Sequence, residues 1–375
     1  MKGKKYGKNL ISSLANSRIS LEEFLSKLKK LELVVIFLLL FVLLILNFIK
    51  AIPYELLTFD SLHYLKMAES FWNFKFDYVL PYITPLVNLF LVPKIKIVRV
   101  EMIFLYIILC FLFYLFVKEK LKIRGAILSL ILFSFCWWNV LSTLEITAEY
   151  FSLFFLFLGF LVNNNFLRSI FLSFSFLLRP DSIVFILPFL LFLEKDKGVI
   201  PLFITFSFLI DIFLFAIFYK TFNISFLNFF LQRIVKEILS ESYFNNFLWI
   251  KFLQTFPQYV LFLLGVLYMK TGKNERRFFL SSLFLVSLLG FLPFRSERIF
   301  FQKIILLLSI SGAFLLQKIR TSNFLVLLPI SLLNILIIVL IQYPSWLLEI
   351  KCCSAYSLEI CFNLVTSLFY ESFHS

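Results

Sequence analysis

Residues 33–52 read LVVIFLLLFVLLILNFIKAI, an apolar stretch with a single charge, as long as an α-helix needs to cross the roughly 30 Å hydrocarbon core of a bilayer. Lipid offers no water to backbone N–H and C=O groups, so such a stretch has to satisfy them within itself, as a helix. Further apolar runs follow at 98–117, 125–143, 148–165, 199–219, 257–270, 278–294, 299–317 and 323–343, and two short ones, 166–178 and 182–194, form a broken pair. With 61% hydrophobic and 15% charged residues over 375 positions, and a mean hydropathy of +0.95, the composition excludes a soluble globular chain. The expectation is an all-α, polytopic transmembrane helical bundle of about 10–12 spans. The 54 phenylalanines against 9 glycines point to packing through large side chains rather than close small-residue crossings.

The formal charge of +14 reads as topology, not as affinity for nucleic acid, because in a membrane chain the placement of cations matters more than their sum. Met1–Glu32 holds eight basic residues against three acids immediately before the first run, which places the amino terminus in the cytoplasm and makes the run a retained anchor. Alternating from there, the inner loops carry Lys118, Lys120, Lys122 and Arg124, then Arg168, then Lys195 and Lys197, then Lys270, Lys273, Arg276 and Arg277, then Lys318 and Arg320. Together with the amino terminus these are 21 of the 36 basic residues, as the positive-inside rule requires. The organisation expected is a cytoplasmic basic segment over 1–32, a multi-span domain over 33–343 with outer loops 53–97 and 220–256, and a tail over 344–375. Asn223 in NIS is a formal glycosylation acceptor. No internal repeat of fixed period is visible, which weighs against an inverted-repeat transporter. The five cysteines form no metal pattern; Cys110 and Cys136 sit in apolar runs, and Cys352, Cys353 and Cys361 are close enough in sequence for one disulfide.

Four polar groups interrupt this apolar background. LLTFDSLHYLKMAESFW follows the first run, and from Asp60 onward Ser61, Leu65, Ala68 and Trp72 share one helical face while His63, Tyr64, Met67 and Ser70 lie toward others. Asp60 reads equally as a helix cap or as a carboxylate placed to take a proton from a hydroxyl. His63 has no partner at metal-ligand spacing and reads as an interfacial residue. In STLEITAEYF, Glu145 and Glu149 stand four apart, on one helical face, where they also mark a water boundary. In FLLRPDSIVFILPFLL, Arg179 and Asp181 flank Pro180 between two runs each too short to span; they either pair with each other or leave Arg179 to face a lipid phosphate. In LPFRSERIFFQKI, Arg295, Glu297 and Arg298 precede Lys303, either snorkelling to headgroups or touching substrate. Lys94, Lys96 and Arg99 add outward cations at the second span, against the inside trend.

Taken in order, these features resemble the C-type (GT-C) glycosyltransferases, integral-membrane enzymes that use polyprenyl-phosphate sugars. FDSLHYLKMAESFW is similar to that superfamily's Asp-containing first outer loop, LEITAEYFSLFFLFLGF to its segment with a Glu opening a span, and FLLRPDSIVFILP to its Arg-Pro stretch; the resemblance runs from about 33 to 317. FRSERIFF is similar to the His-Lys-Glu-x-Arg-Phe stretch of some mannosyltransferases of this class, without its His and with Glu297 directly before Arg298. The resemblance implies that Asp60 is the catalytic base of an inverting transfer. A mannose or other hexose would pass from a dolichyl- or other polyprenyl-phosphate donor to a hydroxyl on a glycolipid, a lipid-linked glycan or a protein, at the outer or lumenal face. His63, Tyr64, Glu145, Glu149, Arg179, Asp181, Arg295, Glu297 and Arg298 would bind substrate, with no metal or other cofactor and no nucleic acid. Such an enzyme would be multi-pass in the plasma membrane, or in the endoplasmic reticulum membrane of a eukaryote. A lipid-linked oligosaccharide flippase or other transporter, and a glycan ligase or polymerase, are the alternatives; a transporter would carry more deep ionisable residues than Asp211, Arg179 and Asp181.

Overall fold

The computed structural model describes residues 30–51, 59–75, 84–123, 125–136, 138–139, 146–230, 262–291 and 297–318, with 248, 249, 252, 256 and 259 singly. Among them there is helix and turn and no strand. The helices are α1 (Lys30–Ala51), α2 (Phe59–Trp72), α3 (Ile95–Leu115), α4 (Ala126–Ser134), α5 (Ala148–Leu161), α6 (Asn165–Leu178), α7 (Ile183–Pro188), α8 (Val199–Tyr219), α9 (Ser225–Phe230), α10 (Lys273–Phe291) and α11 (Glu297–Lys318). Three described stretches are long and apolar enough to cross a membrane: Ile95–Lys120, Val199–Tyr219 and Phe300–Gln317.

Helices α1, α3, α5, α6 and α8 stand side by side in that order, and α11 packs behind them against α4, α10 and the 3-10 segment Phe262–Tyr268. Burial follows this layout, with 83% of the apolar window of α11 buried against 28% for α8. On α8 the buried positions are Val199, Phe203, Ser207, Asp211, Leu214 and Phe215, a stripe at three- and four-residue spacing. Its other faces expose Ile204, Phe208, Leu209, Phe213 and Ile217, as α1 exposes Phe37, Leu38 and Phe41; apolar faces of this extent suit lipid rather than water.

Serines join α6 to both neighbours. Ser173 Oγ donates to the Phe203 carbonyl at 3.0 Å and Ser207 Oγ reaches Ser173 Oγ at 3.2 Å, while Ser152 Oγ of α5 donates to the Ser175 carbonyl at 2.9 Å. Small hydroxyl residues let helix backbones approach and bond across the gap. Closer still is Gly265, where a Cβ would stand 1.8 Å from the Ser311 carbonyl oxygen of α11.

The apolar runs at 33–52 and 199–219 and the broken pair coincide closely with helices, but two others do not. In the run at 125–143, α4 ends at Ser134 and a turn follows before Trp138 and Asn139 are helical again, and the described part of 257–270 is mostly the 3-10 segment Phe262–Tyr268, pinned to α11 by a bond from Ser311 Oγ to the Phe262 carbonyl at 2.8 Å. The run at 323–343, the tail and its three cysteines lie outside the described residues.

Candidate functional site

Pro180 writes the break in the broken pair. It lacks an N–H to continue a helix, and its ring pushes the preceding residue out of the helical region. Arg179 is accordingly extended, with φ −148° and ψ 99°, and closes α6 by donating its N–H to the Ser175 carbonyl at 3.1 Å. A 3-10 turn, Pro180–Ser182, then starts the return arm, α7 with a π turn over Phe189–Leu193. The base of this hairpin is closed by a buried pair between Arg168 and Glu194, with Arg168 Nε also on the Val162 carbonyl at 3.0 Å. The same end of the bundle holds the bond from Lys118 to Glu32 at 2.8 Å and that from Lys120 to Asn163.

At the hairpin tip, the opposite end, residues far apart in sequence meet. Arg179 Nη1 bonds Glu149 Oε1 at 2.8 Å and its Nε bonds Asp181 Oδ1 at 3.0 Å. Asp181 Oδ2 accepts from Lys303 Nζ of α11. Glu149 lies in the first turn of α5 and Asp181 in the first turn after the break, both where free backbone N–H groups favour an anion. All four groups are buried or nearly so, with side-chain exposure of 13% for Arg179 and 6% or less for the others. Two atoms of the cluster, Glu149 Oε2 and Arg179 Nη2, are buried and have no hydrogen-bond partner among the described residues.

Helix α2 closes this end from the side. Ser61 Oγ accepts from the Ile146 backbone N–H at 2.8 Å, two residues before α5 begins, and Tyr64 is near enough to Arg179 to couple with it electrostatically. The buried face of α2 is Ser61, Tyr64, Met67, Ala68 and Phe71, rotated from the expected face of Ser61, Leu65, Ala68 and Trp72. The rotation frees Trp72 to reach outward, its indole N–H donating to the Asn88 and Leu91 carbonyls at 3.1 and 2.9 Å. His63 is half-buried on α2.

Of the residues the sequence puts forward, the structure brings together Tyr64, Glu149, Arg179 and Asp181. The pairing of Arg179 with Asp181, one of two readings of that motif, is formed. The side chains of Asp60, Glu145, Arg295, Glu297 and Arg298 lie outside the described residues; the backbone of Asp60 is in the first turns of α2, and those of Glu297 and Arg298 in the first turn of α11. Lys303 joins the cluster from 122 residues away, and no local pattern pairs it with Asp181. Both oxygens of Asp181 are engaged by protein cations, which makes it a group that holds Arg179 and Lys303 in place.

Another buried carboxylate is structural. Asp211 of α8 accepts from the Ser225 backbone N–H at 2.6 Å and from its hydroxyl at 2.9 Å, so it caps α9 and folds the chain back against α8. Ser225 is also the hydroxyl residue of the NIS triplet, and at 1% exposure it is withdrawn into the protein together with that bond. Among the described residues no group of three His, Cys, Asp or Glu side chains is placed to hold a metal ion. Comparison of the chain with family models, with curated proteins and with solved structures finds no match in any of the three.

Proposed function

We propose that the chain is a multi-pass membrane glycosyltransferase of the GT-C type, transferring a hexose from a polyprenyl-phosphate donor to a hydroxyl acceptor at the end of the bundle where the hairpin tip lies. One observation carries the reading. The segments that resemble that superfamily, α2, the start of α5, the Arg-Pro break and the head of α11, are distant in sequence yet adjoin at this end through Ser61, Glu149, Arg179, Asp181 and Lys303. The cation-rich inner loops gather at the other end, where Lys118, Lys120, Arg168 and Lys197 make their bonds, and this supports a cytoplasmic base and an outer or lumenal tip.

The chemistry assigned to the tip is a single displacement. The acceptor oxygen attacks the anomeric carbon while its proton passes to the Asp60 carboxylate. The anomeric C–O bond breaks with its electron pair going to the leaving polyprenyl phosphate, and the configuration inverts. Arg298, in the first turn of α11, and Arg295, three residues before it in the sequence, are the cations assigned to the leaving phosphate, a role that suits a guanidinium fork. A phosphate leaving group needs no acid of its own, which fits one base among several cations.

The test is Asp60→Asn in the full chain, assayed for sugar transfer from a polyprenyl-phosphate hexose in detergent. The amide keeps the shape and caps the helix acceptably, so folding and donor binding persist while transfer falls roughly 10²–10⁴-fold. Near-normal turnover by Asp60→Asn removes the assignment. Movement of a fluorescent lipid-linked saccharide across proteoliposomes without sugar transfer favours the carrier instead.

A further inference from the structure

We infer that the hairpin-tip cluster is a subsite for sugar hydroxyl groups and not a seat for phosphate; this rests on the glycosyltransferase reading for the identity of the ring, while the subsite itself rests on charge and hydrogen-bond accounting.

The charges decide first. Glu149 and Asp181 are acids, Arg179 and Lys303 are bases, and they pair in a row: Glu149 with Arg179, Arg179 with Asp181, Asp181 with Lys303. The described cluster therefore has no net charge to offer an anion. A phosphate buried against it would add negative charge beside two carboxylates already shared between two cations, and uncompensated buried charge is costly.

The unfilled hydrogen bonds decide next. Glu149 Oε2 can only accept and Arg179 Nη2 can only donate, and both are buried without a partner among the described residues. They belong to the two residues joined by the 2.8 Å contact of Nη1 and Oε1, which keeps them close to one another. A hydroxyl both donates and accepts. One hydroxyl, or two neighbours on a ring, gives its proton to Oε2 and receives the N–H of Nη2, completing both groups and leaving the charge balance unchanged. The oxygens of a phosphodiester, as in a polyprenyl-phosphate sugar, only accept, so one facing Nη2 would lie against the Glu149 carboxylate. Tyr64, coupled electrostatically to Arg179, adds a further hydroxyl to the neighbourhood of its guanidinium.

The experiment is ligand-observed saturation-transfer NMR on the full chain in detergent micelles, with free mannose, free glucose and inorganic phosphate as probes. The expected result is transfer to at least one monosaccharide by the parent protein. That binding weakens at least tenfold in Glu149→Gln, which puts an amide donor where an acceptor is needed, and in Arg179→Lys, which keeps the charge but deletes Nη2. Arg179→Lys also serves should Glu149→Gln fail to fold. Phosphate binding that disappears in Arg179→Lys, with sugar binding indifferent to Glu149, overturns the inference in favour of a phosphate seat. Absence of binding by every probe overturns it in favour of a joint without a ligand. Glu149-dependent sugar binding by a chain that transfers no sugar keeps the subsite and removes the transferase.

Discussion

Lys303→Met isolates the contact that ties the hairpin tip to α11. Methionine fills most of the lysine stem's volume, so the change is chiefly one of charge. Asp181 then keeps Arg179 alone, through the 3.0 Å contact at Nε, while the same guanidinium serves Glu149 at 2.8 Å. Two buried carboxylates share one cation. Removing one partner of a buried pair costs about 3–5 kcal/mol, and at roughly 2–4 °C per kcal/mol this is a fall in melting temperature on the order of 10 °C. Asp181→Asn takes the carboxylate away from Lys303 and costs a similar amount. The double variant leaves Glu149 with Arg179, a neutral pair, so its loss is smaller than the sum of the two by about 0.5–3 kcal/mol. Thermal unfolding of the parent and the three variants in one detergent, followed by tryptophan fluorescence, supplies the four values. Additive losses, or a Lys303→Met protein as stable as the parent, would refute the tie.

Gly265→Ala pushes a methyl group into the backbone of α11, 1.8 Å from the Ser311 carbonyl oxygen, and costs about 1–3 kcal/mol or more; an unchanged melting temperature counts against that close approach. Asp211→Leu removes the acceptor of the Ser225 N–H and hydroxyl and costs about 1–3 kcal/mol, with Asp211→Asn milder because an amide oxygen still accepts; the order is read from the same unfolding curves. Asn223 carries no glycan when the chain is made in a glycosylating host, because the Ser225 hydroxyl is bonded to Asp211; a mass difference between the parent and Asn223→Gln beyond the substitution itself would show otherwise. Cysteines introduced at Lys75 and Lys197 react with an impermeant thiol reagent from opposite sides of sealed vesicles, and labelling of both from one side sinks the assigned sidedness.

What was legible in the sequence was what depends on neighbours in the chain. Val199–Tyr219 reads as one helix because its apolar run is continuous, and the hairpin break reads from Pro180 and the shortness of its two arms. Ser134 ends α4 inside a run that stays apolar, so nothing in local hydropathy announces the stop. The 3-10 form of Phe262–Tyr268 is tied to the approach of Gly265 to Ser311, a contact between segments that composition does not encode. At the tip, Arg179 and Asp181 are two residues apart and their pairing was readable. Glu149 and Lys303 reach them only through the packing of α5 and α11, and the turn of α2 that buries Tyr64 depends on the surface it meets.

The tie between Asp181 and Lys303 also sets a clock on biogenesis. A ribosome reaches Lys303 122 codons after Asp181, which at about 5–20 residues per second is roughly 6–25 s of translation. Throughout that interval the second carboxylate oxygen of Asp181 lacks its lysine, although Glu149 and Arg179 are already synthesised. On the multi-pass reading proposed above, the hairpin enters the membrane with an unfinished polar tip, which has to be sheltered by water, by the insertion machinery or by a chaperone until α11 arrives. A chain truncated before α11 would keep its apolar helices and still display that unfinished carboxylate, a ready mark by which membrane quality control could tell it from the completed protein.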